Sequence, residues 1–136
     1  MPSYVPDGYT LTGYVSPPGQ EDGQKLFEPL EFSYRVATRP EVLKHDFENS
    51  KLVRLTDESA YKKLEKAACK FVGDHLHSWD LKDGSGTAVE LSEDAISRLQ
   101  ITLFNRIYLI IRNEAVSNKR PHSDAEPTTD ADQLKN

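Results

Sequence analysis

Histidines are the residues of this chain whose spacing most invites a metal-ion interpretation. His75 and His77 stand two positions apart, and residues two apart on a helix point in nearly opposite directions. No third ligand follows them with the spacing of a zinc site. We therefore expect solvated histidines at the end of a helix there, and a plain polar pair at His45 and Asp46. No metal-binding residue is predicted.

Three carboxylates around a glycine-containing loop offer a second possible ion site. Asp80, Asp83 and Glu90 surround the loop, but their spacing departs from that of an EF-hand and no Glu stands at the required twelfth position. The segment Gly84-Ser85-Gly86 lacks the Gly-Lys-Ser/Thr of a phosphate-binding loop, and no serine lies in a Gly-x-Ser-x-Gly frame. The sequence therefore predicts no catalytic residue and no cofactor, and we expect a chain that is not an enzyme.

The single cysteine, Cys69, has no partner for an intramolecular disulfide and lies within an apolar helical pattern. Such a residue is more often a small core side chain than a reactive thiol. We therefore expect Cys69 to be part of the core.

Composition narrows the classes of partner. The chain has 136 residues, a net charge of −5 and an isoelectric point near 5.3, and its basic residues are scattered among carboxylates, which argues against nucleic acid as a partner. No apolar run reaches the roughly 18 residues that suggest a membrane span. The start of the chain also lacks the pattern of a signal peptide. We therefore expect a cytoplasmic protein with no membrane partner.

Two strands are predicted near the start of the chain. Residues 9–15 are rich in aromatic and β-branched side chains, and residues 30–36 alternate apolar with polar ones, as in a strand with one buried face. A polar loop joins them, which favours an antiparallel β-ribbon. Since a two-stranded ribbon is marginal alone, it must lie on an apolar surface.

Three helices are predicted to follow, over residues 39–47, 57–77 and 93–113. Thr38 and Glu41 have the spacing of a capping box, and Glu48-Asn49-Ser50 is expected to interrupt the helix that starts there. Thr56 or Asp57 caps the second helix. An Asp-Gly turn at residues 82–86 then predicts a short hairpin or turn, and Ser92 caps the last helix.

The last helix carries more apolar residues than one buried stripe requires. Apolar side chains cover two of its sides, so it is either sandwiched in the core, which we favour, or offers one side to a partner. If it does bind a partner, the candidates are Ile107, Leu109, Ile110 and Ile111.

The fold class predicted from these elements is α+β, with an N-terminal antiparallel ribbon followed by a small helical domain. Residues 1–116 form the single domain. Residues 117–136 contain few apolar side chains, so they are predicted to be a disordered polar tail.

One family resemblance runs through residues 70–113. It consists of a helix with Phe71, a tryptophan segment, a turn with Asp and Gly, a Leu-Ser helix start and a final helix. The segments are His77-Ser78-Trp79-Asp80-Leu81, Asp83-Gly84-Ser85-Gly86, Val89-Glu90-Leu91-Ser92 and the helix bearing Leu99, Leu103 and Ile110. This order resembles the tail assembly chaperones of long-tailed bacteriophages. The preceding strand pair, ending Phe32-Ser33-Tyr34-Arg35, also looks like phage-encoded proteins of this size.

The resemblance implies a non-enzymatic protein in the cytoplasm of a bacterial host. It would coat apolar segments of the tape-measure protein while tail-tube subunits are recruited around them. The family has no motif that marks contact residues. Two other hypotheses stay open: a small structural virion protein, such as a tail or head-tail joining component, and a host adaptor module unrelated to phage.

Overall fold

A three-stranded antiparallel sheet forms the first layer of the fold. In the computed structural model, which describes residues 10–17, 27–53 and 57–118, the strands are β1 (Thr10–Val15), β2 (Leu30–Arg35) and β3 (Leu76–Trp79), in the order β1-β2-β3. The register of β1 on β2 runs from Thr10 opposite Arg35 to Val15 opposite Leu30. The predicted ribbon is therefore confirmed. Tyr9, the predicted start of β1, lies outside the described residues.

Alternation in β2 places one face of the sheet in the core. Leu30, Phe32 and Tyr34 are buried, while the residues between them are only partly covered. This is the period of two that the sequence shows. The buried face lies against the helices, so the ribbon has the apolar support that it needs.

The described part of the chain has four helices where three were predicted, and two of them, the second and the fourth, contact the sheet. The four helices are α1 (Arg39–Val53), α2 (Glu58–His75), α3 (Glu93–Ser97) and α4 (Ile101–Ile111). α2 contacts all three other helices, and α4 packs against both α2 and β1. The α+β class is confirmed, and the bounds of every helix differ from the prediction.

The first helix does not stop at residue 47. Its polar residues are satisfied within the helix, because the Ser50 hydroxyl donates to the Phe47 carbonyl over 2.7 Å and the Asn49 amide reaches the His45 ring at 3.2 Å. Leu52 and Val53 therefore belong to the same helix. The predicted interruption at Glu48-Asn49-Ser50 is wrong.

The second helix ends two residues early because the chain turns into the sheet. Asp57 caps its start by accepting from the Ala60 amide at 2.8 Å, whereas Thr56 lies outside the described residues. Leu76 has extended backbone angles, is buried, and pairs with Tyr34 across the sheet. Hydrogen bonds to β2 thus replace the last helical turn, and β3 takes residues that the prediction gave to the helix.

The last predicted helix is two helices. Ser92 caps α3 as predicted, accepting from the Ala95 amide at 3.0 Å. The chain leaves the helical conformation after Ser97, and Gln100 then starts α4 by accepting from the Leu103 amide through its side chain at 3.0 Å. This break turns the chain so that Ile96 and Leu103 both reach the core. A single helix over 93–113 is therefore wrong.

A short turn separates β3 from α3, as predicted. The Val89 amide donates to the Leu81 carbonyl at 2.9 Å, and the Trp79 indole donates to the Val89 carbonyl at 2.8 Å. The fold also extends past residue 116, because Asn118 donates its amide to the Tyr14 carbonyl at 2.8 Å. The rest of the predicted disordered tail, residues 119–136, lies outside the described residues.

None of the helices in the described part of the chain has the length and apolar character needed to cross a bilayer.

Candidate protein-binding surface

Three of the four residues predicted as partner contacts lie in the core. Ile107 and Ile111 are 0% exposed and Ile110 is 2% exposed, while Leu109 is partly covered. α4 is therefore sandwiched between β1 and α2, the arrangement favoured from its two apolar sides. These three isoleucines are therefore not accessible on the surface, whereas Leu109 keeps part of its side chain exposed.

Helix α1 has the opposite character, because it buries little and exposes much. Among its 15 residues, only His45 is buried. Leu43, Phe47 and Val53 are 56%, 63% and 65% exposed. A helix in a small domain normally turns its large apolar side chains inward, so the exposed side of α1 calls for an explanation.

The carboxylate of Glu41 holds the start of α1 by accepting hydrogen bonds from Thr38 and Arg35. Glu41 accepts from the Thr38 amide at 2.8 Å, which completes the predicted capping box. It also accepts from both terminal nitrogens of Arg35, at 2.9 and 3.0 Å. Chiefly because of the Arg35 hydrogen bonds, the pKa of Glu41 falls to about 2. Glu41 therefore ties α1 to β2 as a permanent anion at neutral pH.

The middle of α1 is attached through His45. Its ring stacks on Phe71 of α2 with centroids 4.3 Å apart, and its Nε2 lies 2.8 Å from the Tyr108 hydroxyl of α4. Burial lowers the pKa of His45, and nearby charges modify that effect. His45 is therefore a buried contact between three helices and not the simple polar surface residue that we predicted.

His75 is buried as well, against the prediction of a solvated ring. Its Nδ1 lies 2.8 Å from the Phe71 carbonyl, and its Nε2 lies 3.3 Å from Glu41. The ring centroid is 4.6 Å from that of Phe71. The chain turns into β3 directly after His75, so its ring stays in contact with Glu41 of α1. His77 is exposed, as predicted.

A bidentate ion pair holds the side of α1 next to α4. Both terminal nitrogens of Arg112 donate to Asp46, at 2.7 and 3.0 Å. Arg112 also binds Glu114 at 2.9 Å. These hydrogen bonds lower the pKa of Asp46. Three side chains in the first two turns of α1 thus attach it: the carboxylates of Glu41 and Asp46 and, between them, the imidazole of His45.

The exposed apolar side chains of α1 form a stripe on its outer side. Pro40, Leu43 and Phe47 follow at spacings of three and four, so they share one side of the helix, roughly opposite to His45. All three are exposed. We call this set the α1 ridge. Within the described part of the chain the Lys51 ammonium lies over the Phe47 ring, yet Leu43 and Phe47 stay more than half exposed.

Cys69 is buried, as predicted. Its sulfur lies 3.6 Å from Glu65, and burial, with that carboxylate, raises the pKa of the thiol to about 11. A thiol that stays protonated at neutral pH is a poor nucleophile. An open groove of about 770 Å³ lies between α2 and α3, and Cys69 is one of its lining residues. The protonated thiol does not provide this groove with a good nucleophile.

Two of the three carboxylates around the glycine loop accept backbone hydrogen bonds: Asp80 from the Glu31 amide of β2 at 3.0 Å, and Asp83 from the loop itself. Asp83 accepts from the Ser85 hydroxyl at 2.7 Å, from the Thr87 amide at 3.0 Å and from the Ser85 amide at 2.9 Å. These hydrogen bonds, that of the Ser85 hydroxyl above all, lower the pKa of Asp83. Within the described residues, no group of three or more His, Cys, Asp or Glu side chains is placed to hold a metal ion.

Leu43 and Phe47 were missed as candidates from the sequence. A signal was present, because Glu41, His45, Asn49 and Leu52 follow one another at helical spacing and would have marked the inner side of a longer helix. Ending the helix at residue 47 hid that pattern. With the inner side known, Leu43 and Phe47 must point outward.

Comparisons with protein-family models, with curated proteins and with solved structures find no match to this chain.

Proposed function

We propose that this chain is a non-enzymatic binding protein, and that it acts as a tail assembly chaperone in the cytoplasm of a bacterial host. The α1 ridge would bind apolar segments of the tape-measure protein, and the bound chaperone would help to recruit tail-tube subunits. The resemblance of residues 70–113 supplies the kind of partner. The contact surface that we propose is the α1 ridge, which replaces the buried isoleucines of α4 as the candidate.

One observation carries the proposal. α1 buries a single side chain while leaving Leu43 and Phe47 of the ridge 56% and 63% exposed. Apolar side chains gathered on one side of a helix gain free energy when a partner covers them. Packing an amphipathic segment against such a helix is a common mode of peptide recognition.

Co-expression with the tape-measure protein of the same genome tests the proposal. A tag on the tape-measure protein would capture this chain in several copies, and the tape-measure protein would become soluble. The double substitution Leu43→Ser with Phe47→Ser should abolish capture. Both side chains are exposed, so the variant should keep its circular dichroism spectrum.

Ile101→Ser is the matched control, because Ile101 is an equally exposed apolar residue, at 68%, on a different helix. It should leave capture unchanged. If the wild-type chain captures no tape-measure protein and is instead found in stoichiometric amounts in purified virions, the structural virion alternative replaces the chaperone. Equal loss of capture in both variants would contradict the role of the ridge.

A further inference from the structure

The α1 ridge has a basic border. Lys44 and Lys51 lie along one flank of the ridge, and Arg39 lies beside its start. All three are exposed. The Lys51 ammonium lies 4.8 Å from the centroid of the Phe47 ring, so its charge is at the edge of the apolar stripe.

The charges of this border are only partly offset within the described part of the chain, because Glu48 lies on the lysine flank, four positions after Lys44 and three before Lys51. Neither lysine forms an ion pair with another described residue, whereas Lys62 and Lys70 of α2 do. The nearest acidic residue on the other flank, Asp46, is bound by Arg112. A local positive charge beside an apolar stripe therefore stands on a chain whose net charge is −5.

From this arrangement we infer that the partner segment of the α1 ridge is an apolar helix flanked by acidic side chains. The inference rests on the proposed binding role of the ridge and specifies the chemistry of its partner. Pro40 to Phe47 spans roughly 10 Å of helix, which matches about two turns of a partner with apolar residues at spacings of three and four. Glu or Asp beside those residues would meet Lys44 and Lys51.

A second copy of this chain fits the ridge less well. In an antiparallel twofold pair of α1 helices, the lysine flank of each copy would lie on the same side of the interface. Like charges would then face each other along the contact, which disfavours the pair. An acidic segment of a different protein meets no such repulsion.

Two synthetic helical peptides test the inference. They share the same apolar positions and differ only in their flanking residues, which are Glu in one and Lys in the other. Fluorescence anisotropy with the full chain at low ionic strength should give a dissociation constant for the Glu peptide that is lower by roughly three- to twentyfold, the sum of a few exposed ion pairs. The difference should shrink at high salt.

Substitutions then locate the effect. The charge reversal Lys44→Glu with Lys51→Glu should invert the preference, so that the Lys peptide binds more tightly. The control reversal Lys63→Glu with Lys66→Glu, at exposed positions of α2, should leave the preference unchanged. Leu43→Ser with Phe47→Ser should abolish binding of both peptides.

Equal affinity of the wild-type chain for both peptides, or tighter binding of the Lys peptide, would overturn the acidic partner while leaving the ridge as a binding surface. Self-association that Leu43→Ser with Phe47→Ser removes would assign the ridge to a second copy and overturn the inference. Binding of neither peptide would overturn this inference and the ridge together. A preference for the Glu peptide without capture of the tape-measure protein would instead refute the proposed function alone.

Discussion

The ring of Phe71 lies between two imidazoles, those of His45 from α1 and His75 from α2. Through this cluster the middle of α1 contacts the rest of the molecule, between the attachments made by Glu41 and Asp46. Tyr108 of α4 packs edge-on against Phe71, with the two ring centroids 5.9 Å apart. Since a protonated imidazole is harder to bury than a neutral one, the attachment of α1 depends on the charge state of His45.

Stability should therefore fall on mild acidification. Because the pKa of His45 is lower in the folded chain than its ordinary 6.5, the unfolded chain takes up the proton first. The stability contributed by the neutral ring is complete above about pH 6.5 and is lost as the pH falls toward the folded pKa. Arg112 and His75 oppose protonation, and Asp46 and Glu48 favour it.

His45→Phe tests this expectation, because the phenyl ring can still stack on Phe71 and does not titrate. Urea unfolding between pH 7.5 and 5.5 should show a smaller loss of stability in this variant than in the wild-type chain. The exposed His77 provides the control, and His77→Gln should follow the wild-type profile. Parallel profiles for His45→Phe and the wild-type chain would contradict the assignment.

At the scale of an element, α4 shows how burial divides one helix between core and surface. Ile107 is 0% exposed and Ile101 is 68% exposed, although the two side chains are chemically identical. Ile107→Ala should lower the free energy of unfolding by about 2–5 kcal/mol, because it leaves a cavity in the core. Ile101→Ala should change it by less than about 0.5 kcal/mol.

Denaturant unfolding of the two alanine variants measures this difference directly. A similar effect of both substitutions would mean that Ile107 is not part of a packed core. Loss of partner capture by Ile107→Ala at unchanged stability would return the binding surface to α4.

The pairing of β1 with β2 depends on the absence of a side chain at Gly13. A Cβ atom there would lie 2.6 Å from the Phe32 ring, and Phe32 is buried. Gly13→Ala should therefore lower the free energy of unfolding by roughly 1–3 kcal/mol through overpacking. Gly84 has open space around its Cβ position, so Gly84→Ala should leave thermal unfolding nearly unchanged. A neutral Gly13→Ala would show that Phe32 moves aside freely.

Features that depend on neighbours in the sequence were predictable, and features that depend on distant partners were not. The capping side chains of Thr38, Asp57 and Ser92 each accept a hydrogen bond from the amide three positions later. Their pattern is therefore visible in the sequence. β3 forms because Leu76 meets Tyr34 of β2. No local pattern distinguishes those residues from one more helical turn.

The same limit applies to the candidate surface. Surplus apolar residues on α4 were visible in the sequence, but whether a partner or the protein itself covers them depends on how many elements surround the helix. The outward position of Leu43 and Phe47 depends in turn on the contact of His45 with Phe71 and Tyr108, which lie on two other helices.

At the scale of the whole molecule, the described chain closes on itself at the outer edge of β1. Ser117 accepts from the Tyr14 amide at 2.8 Å, and the Asn118 side chain accepts from the Ser16 amide at 2.9 Å. The same Asn118 oxygen binds Arg106 of α4 at 3.0 Å. The contacts with Tyr14 and Ser16 join residues more than a hundred positions apart and occupy backbone groups that an edge strand otherwise exposes.

Asn118→Ala should therefore destabilise the whole fold and not only the end of the chain. The Ser16 amide and the Arg106 guanidinium both lose a protein acceptor, at an expected cost of about 1–2 kcal/mol in the free energy of unfolding. Asn105→Ala, at an exposed position of α4, is the matched control and should be neutral. Hydrogen exchange would locate the effect, since the Ser16 amide should lose protection in Asn118→Ala alone. Unchanged stability and protection would mean that the fold ends at residue 116 in energetic terms, as the composition of the tail predicts.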